Sequence, residues 1–110
     1  MPTLELKPEY LHRLQTLLRE HVPWAEVWAY GSRVSNSSHE ASDLDLVLRN
    51  PEELSQPYER LGELKEAFSE SNIPILIDIL DWARIPAPFR KEIEGAHVVV
   101  QEAPRKTQHD

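Results

Sequence analysis

After Pro8, Leu11, Leu14, Leu17, Leu18 and Val22 recur three and four residues apart, with Arg13, Arg19 and Glu20 on the other side. That period predicts an amphipathic helix over residues 8–21, opened by a first-turn proline and ended before Pro23. Residues 24–30 then read as a strand: they are rich in aromatic and β-branched side chains and stop at Gly31. Residues 34–41 are polar and rich in Ser and Asn, as in a loop or one irregular turn. Residues 44–48 alternate Leu with Asp or Val and close at Asn50 and Pro51, predicting a second strand. From Leu54 through Tyr58, Leu61, Leu64 and Phe68 the period is helical again, which predicts a second long helix over 54–70. Residues 73–81 form a nearly continuous apolar run bounded by turn signals, the pattern of a buried central strand. Pro86, Pro88, Phe89 and Ile93 with Gly95 mark a short third helix, and residues 98–100 a last short strand.

This order, α-β-β-α-β-α with a final strand, predicts an α/β (α+β) fold: a small mixed sheet with helices packed on it. The 110 residues fit one domain, placed at 1–100, with a polar tail over 101–110 that frays. Nineteen acidic against twelve basic residues give a net charge of −7. That balance argues against a direct grip on nucleic acid, which calls for a basic face. Cysteine is absent, so disulfides, thiol catalysis and Cys-based zinc sites are excluded. The five histidines show no metal-ligand spacing. No apolar run reaches the roughly 20 residues of a membrane span and no signal peptide opens the chain, so the expected compartment is the cytoplasm.

The chemistry concentrates in Gly31, Ser32 and Arg33, followed by Asp43, Leu44 and Asp45. Residues two apart on a strand share a face, so Asp43 and Asp45 point one way while Leu44 and Leu46 enter the core. Two neighbouring carboxylates raise a pKa or demand a cation. No basic residue adjoins them, alternation does not assign Arg49 to them, and Mg²⁺ is the economical partner. Asp78 lies within the apolar run 75–80, where an ionised side chain needs a partner. In a central strand beside the Asp43 and Asp45 strand it becomes a third ligand, while Asp81 faces the other side as a cap or surface contact. Gly31 permits close approach of a phosphate to the backbone, and Ser32 offers a hydroxyl donor. Together these groups equip a site for phosphoryl or nucleotidyl transfer, with two metals holding the attacking and leaving oxygens.

Gly31 and Ser32, ten intervening residues, then Asp43-Leu44-Asp45 resemble the signature of the polymerase-beta-like nucleotidyltransferase superfamily. The small size, the SDLDL run and the late stretch from Ile77 resemble its minimal (MNT) branch, antitoxin-type enzymes paired with HEPN-domain toxins. The resemblance covers about residues 24–100. It implies that Gly31 and Ser32 form the phosphate-binding turn and that Asp43 and Asp45 ligate Mg²⁺. It implies further that Asp78 binds the catalytic metal and takes the acceptor hydroxyl's proton. The implied reaction transfers AMP from ATP to a tyrosine of a HEPN partner and silences its RNase activity. Many relatives follow the GSR with more Arg and Gly, whereas this chain continues Val34, Ser35, Asn36, Ser37, Ser38, His39 and Glu40. Arg33 is retained, open between a phosphate contact and a structural ion pair.

Bland alternatives stand beside each reading: a solvated strand end for Asp43 and Asp45, an Arg-paired buried acid for Asp78, and a turn cap for Ser32. His39 is either solvated or a nucleotide contact. The alternative function is a weak or inactive nucleotide-binding subunit that neutralises the HEPN partner by masking it, and a third is an α/β domain that binds metal for stability only.

Overall fold

The computed structural model describes residues 2–35 and 42–104. The chain runs α1 (Pro8–His21), β1 (Glu26–Tyr30), a 3-10 turn (Gly31–Val34), β2 (Leu44–Arg49), α2 (Leu61–Ser69) and β3 (Ile77–Asp81). A second 3-10 turn (Trp82–Arg84), α3 (Ala87–Gly95) and β4 (Val98–Gln101) follow. The sheet order is β3-β2-β1-β4. β1 is antiparallel to both β2 and β4, whereas β2 and β3 run parallel. A parallel neighbour needs a long crossover, and α2 sits in it. This is the mixed α/β sheet that the pattern predicts. Among the described residues, no helix is long and apolar enough to cross a membrane.

Alternation gives the sheet two unlike faces. Val27, Ala29, Leu44, Leu46, Leu48, Ile79 and Val100 pack against Leu14 and Leu18 of α1 and Leu64 and Phe68 of α2. The opposite face carries Trp28, Tyr30, Val47 and Trp82, with Ile93 and Phe89 of α3 on them. Along β2 this second face reads Asp45, Val47, Arg49, so Arg49 does share a face with the acidic pair. It does not reach them: its guanidinium lies 3.9 Å over the Trp28 ring and 4.6 Å over Trp82, and pairs with Glu26 at 2.6 Å. Four residues of strand span about 13 Å, so the cation is held at the far end by its aromatic neighbours.

Three element boundaries differ from the sequence expectation. α2 begins at Leu61, not 54. Pro57 disfavours helical geometry at Gln56, the Asn50 side chain takes the amides of Glu52 and Glu53, and the Tyr58 amide donates to Asp81 Oδ2 at 2.6 Å. β1 begins at Glu26 because a turn at 22–25 is tied to β4, with Gln101 Nε2 donating to the carbonyls of Val22 and Ala25 at 2.9 Å. Gln101 thus belongs to the sheet; residues 105–110 of the expected tail lie outside the described residues. The third difference matters most: β3 is an edge strand, not a central one. The apolar run divides at Pro74, with Ile73 in the core beneath α2, Leu76 73% exposed, and regular pairing only from Ile77.

Asp81 is buried at 4% exposure and accepts from the amides of both Tyr58 and Ala83. It caps the second 3-10 turn, and exposed Arg84 pairs with it at 3.6 Å. Asp81→Ala strands two amides and should cost about 1–3 kcal/mol, measured as a lower urea midpoint; an unchanged midpoint would remove this role.

Candidate functional site

β2 emerges at its N-terminal end beside the 3-10 turn that follows β1, and β3 starts at the same end because it runs parallel to β2. The register places Asp45 opposite Tyr30 on one side and opposite Asp78 on the other. Parallel neighbours lie about 4.8 Å apart, so two carboxylates from strands distant in sequence adjoin on the second face. Asp43, one step before β2 and two residues from Asp45, is exposed at that end, as is Asp78. The sheet thus brings Asp45 and Asp78 together at one end of one face, with Asp43 just before β2 at that same end. The reason expected for Asp78 is corrected, however: it is an exposed edge residue, and burial among aliphatics plays no part.

Gly31 has φ +83°, in the left-handed region. A Cβ there would stand 2.6 Å from Asp45 Oδ2, so the Asp45 carboxylate lies directly against the glycine backbone. Half-buried Ser32 follows, and among the described residues no hydrogen bond is made by its hydroxyl. The opening amides of a helical turn have no partner inside it, which leaves this corner able to donate to an anion.

The electrostatics match the geometry. Burial first, then Asp78, then Asp43 push the Asp45 carboxyl above the usual carboxylate range. Burial, Asp45 and Asp78 push the Tyr30 phenol well up, so it stays neutral and able to donate. Tyr30 ends β1 and opens the run into Gly31, Ser32 and Arg33; its place immediately before Gly31, paired with Asp45 across the sheet, is what brings it to the site. Tyr30 and Gly31 also line a cleft of about 290 Å³ with Val34, Phe89, Glu92 and Ile93.

Among the described residues, no three Asp, Glu or His side chains as they stand are gathered into a group able to hold a metal. The donor chemistry nonetheless fits a hard divalent cation. All three groups are carboxylates, Asp45 and Asp78 adjoin by register, and the charges of both Asp78 and Asp43 bear on Asp45. Exposed Asp43 and Asp78 have free rotamers with which to close on Asp45.

The Arg33 side chain is turned inward. It is 7% exposed, and its Nε and Nη2 donate to the Ser42 carbonyl at 3.1 and 2.9 Å. Its Nη1 donates to the Glu5 carbonyl at 2.7 Å. Three Arg33 donors, Nε, Nη1 and Nη2, are thus engaged by main-chain carbonyls. His39 and most of the 34–41 loop lie outside the described residues.

Comparison with known proteins follows the same lines. The profile of a family described as Polymerase beta, Nucleotidyltransferase matches residues 12–106. A probable protein adenylyltransferase MntA of Haemophilus influenzae is 43% identical over 99 residues, covering 90% of this chain and 85% of its own. A solved structure described as a toxin-antitoxin with AMP-PNP superposes with a TM-score of 0.66 at 16% identity, covering 82% of this chain and 71% of that one. At that identity the likeness is one of fold.

Proposed function

We propose, from the premise that this chain belongs to the polymerase beta nucleotidyltransferase family, that it is the antitoxin of a toxin–antitoxin pair and transfers AMP from ATP to a tyrosine hydroxyl of a HEPN-domain toxin. The observation that carries this reading is the Asp45–Asp78 register beside the positive-φ Gly31 corner. The Haemophilus relative supports protein as the acceptor, and the AMP-PNP complex supports an adenine nucleotide.

In this reading the Gly31 and Ser32 amides and the Ser32 hydroxyl hold the outer phosphates. Asp43, Asp45 and Asp78 would hold one or two Mg²⁺ ions, which supply charge neutralisation at the phosphates. Asp78, exposed on the sheet edge, accepts the proton of the incoming hydroxyl. The acceptor oxygen bonds to the α-phosphorus, the bond to the bridging oxygen breaks, and pyrophosphate leaves. Neutral Tyr30 donates at the rim of the acidic pair without adding charge.

Incubation with ATP, Mg²⁺ and a HEPN-domain toxin should add AMP to the toxin, seen as a mass increment on intact protein. Absence of the increment sinks the enzyme reading. The engagement of three Arg33 donors by main-chain carbonyls, which turns them away from a ligand, favours masking as a second reading. Protection of cells by a chain carrying both Asp43→Ala and Asp45→Ala would select masking.

A further inference from the structure

We propose that Arg33 is a positioning residue: it fixes the entry of β2, and with it Asp43, against the Gly31–Ser32 corner, using the N-terminal segment as a second anchor. The guanidinium places Nε and Nη2 on one carbonyl, that of Ser42, the residue before Asp43. From its other end Nη1 reaches Glu5. The Glu5 amide in turn donates to the Arg33 carbonyl at 2.7 Å, so residue 33 and residue 5 hold each other in both directions. Leu4 and Leu6, on either side of Glu5, pack against the main core cluster. The anchor is therefore rigid, and a segment with no motif of its own becomes part of the site's frame.

A planar fork is required for this task. Lysine keeps the charge but offers one compact donor group that cannot span two carbonyls in fixed directions. Burial of the cation is tolerated because carbonyl oxygens surround it. The clamp bridges nine positions of sequence, from the end of the phosphate corner to the start of the acidic strand. The two halves of the motif are thus joined by one side chain as well as by the loop.

The consequence for metal binding rests on the proposed function, so the test uses two readouts. Mn²⁺ alone, titrated into the nucleotide-free protein, should bind about 10-fold or more weakly to Arg33→Lys and Arg33→Ala, as for other residues that orient a ligand. Amide exchange over residues 43–45 should rise by about 10-fold in the same variants. With metal saturating, kcat should fall by about 10-fold or more while the ATP KM moves less than about 3-fold. Glu5→Pro removes the Glu5 donor without touching the cation and should reproduce the exchange change in part, which covers the case in which Arg33→Ala fails to fold. Unchanged exchange and unchanged Mn²⁺ affinity in Arg33→Lys overturn the proposal. So does a raised ATP KM with Mn²⁺ binding intact, the mark of a direct phosphate contact. If the parent protein binds no Mn²⁺, the metal reading fails, and exchange alone decides the role of Arg33.

Discussion

Replacing Asp45 by Asn is expected to give a chain that melts at a higher temperature in metal-free neutral buffer and has lost at least about 100-fold in AMP transfer, since even outer-shell partners of a metal are worth 10- to 100-fold. The stability half follows from the direction of the Asp45 shift. Burial and the facing Asp78 hold its carboxyl protonated to higher pH in the folded than in the unfolded chain. Between the two pKa values the folded state binds more protons, so stability falls as pH rises through that interval and the loss is complete above the folded value. Above that interval the parent protein carries the full penalty, and an uncharged isostere removes it. Mg²⁺ should raise the melting temperature of the parent protein and leave that of Asp45→Asn unmoved. A variant that melts lower, or that keeps its activity, contradicts the role given to Asp45.

Gly31→Ala is expected to separate folding from function in another way. An L side chain at φ +83° costs about 1–2 kcal/mol, a modest loss readable by urea denaturation. The added methyl would also stand 2.6 Å from Asp45 Oδ2. The atom it meets is the end of a side chain, so the carboxylate gives way and the fold survives. A displacement of about 1 Å in a reacting constellation is worth about 100-fold in rate, and transfer should fall by that order. In an Asp45→Ala background the clash disappears, and the stability cost of Gly31→Ala should shrink to its backbone part. A folded Gly31→Ala with normal transfer rates would show that Asp45 needs no fixed seat against the glycine.

Much of this arrangement was legible from periodicity and motif spacing. α1 stands at Pro8–His21, where leucine spacing and two prolines put it, and the strand before Gly31 and the Leu-Asp alternation after Ser42 both form. Local pattern failed where a long-range partner decides. The period from Leu54 to Phe68 looks continuous, yet Asp81, on a strand not yet reached, takes the Tyr58 amide and leaves the segment before Leu61 unwound. The run 73–81 is apolar enough for a central strand, but its composition cannot reveal that β4 pairs with β1 and leaves β3 at the edge. The apolar run around Asp78 suggests burial, whereas register with Asp45 is what places it. The motif alone leaves Arg33 open between ligand and structure; only the fold brings the Ser42 and Glu5 carbonyls to its guanidinium. Tyr30 and Asp81 drew little notice because their roles depend on neighbours from other strands.

The parallel pairing of β2 with β3 also sets a timetable for biosynthesis. Asp43 and Asp45 leave the ribosome early, but Asp45 has no Asp78 opposite it until the whole crossover, α2 included, has been made and β3 has docked. β1 and β2, antiparallel and joined in sequence, can pair before that. A chain ending near residue 70 would hold the Gly31 corner and two of the three carboxylates, yet lack Asp78. On the role proposed for Asp78, activity therefore waits for β3, and a product truncated before it carries the motif without the activity.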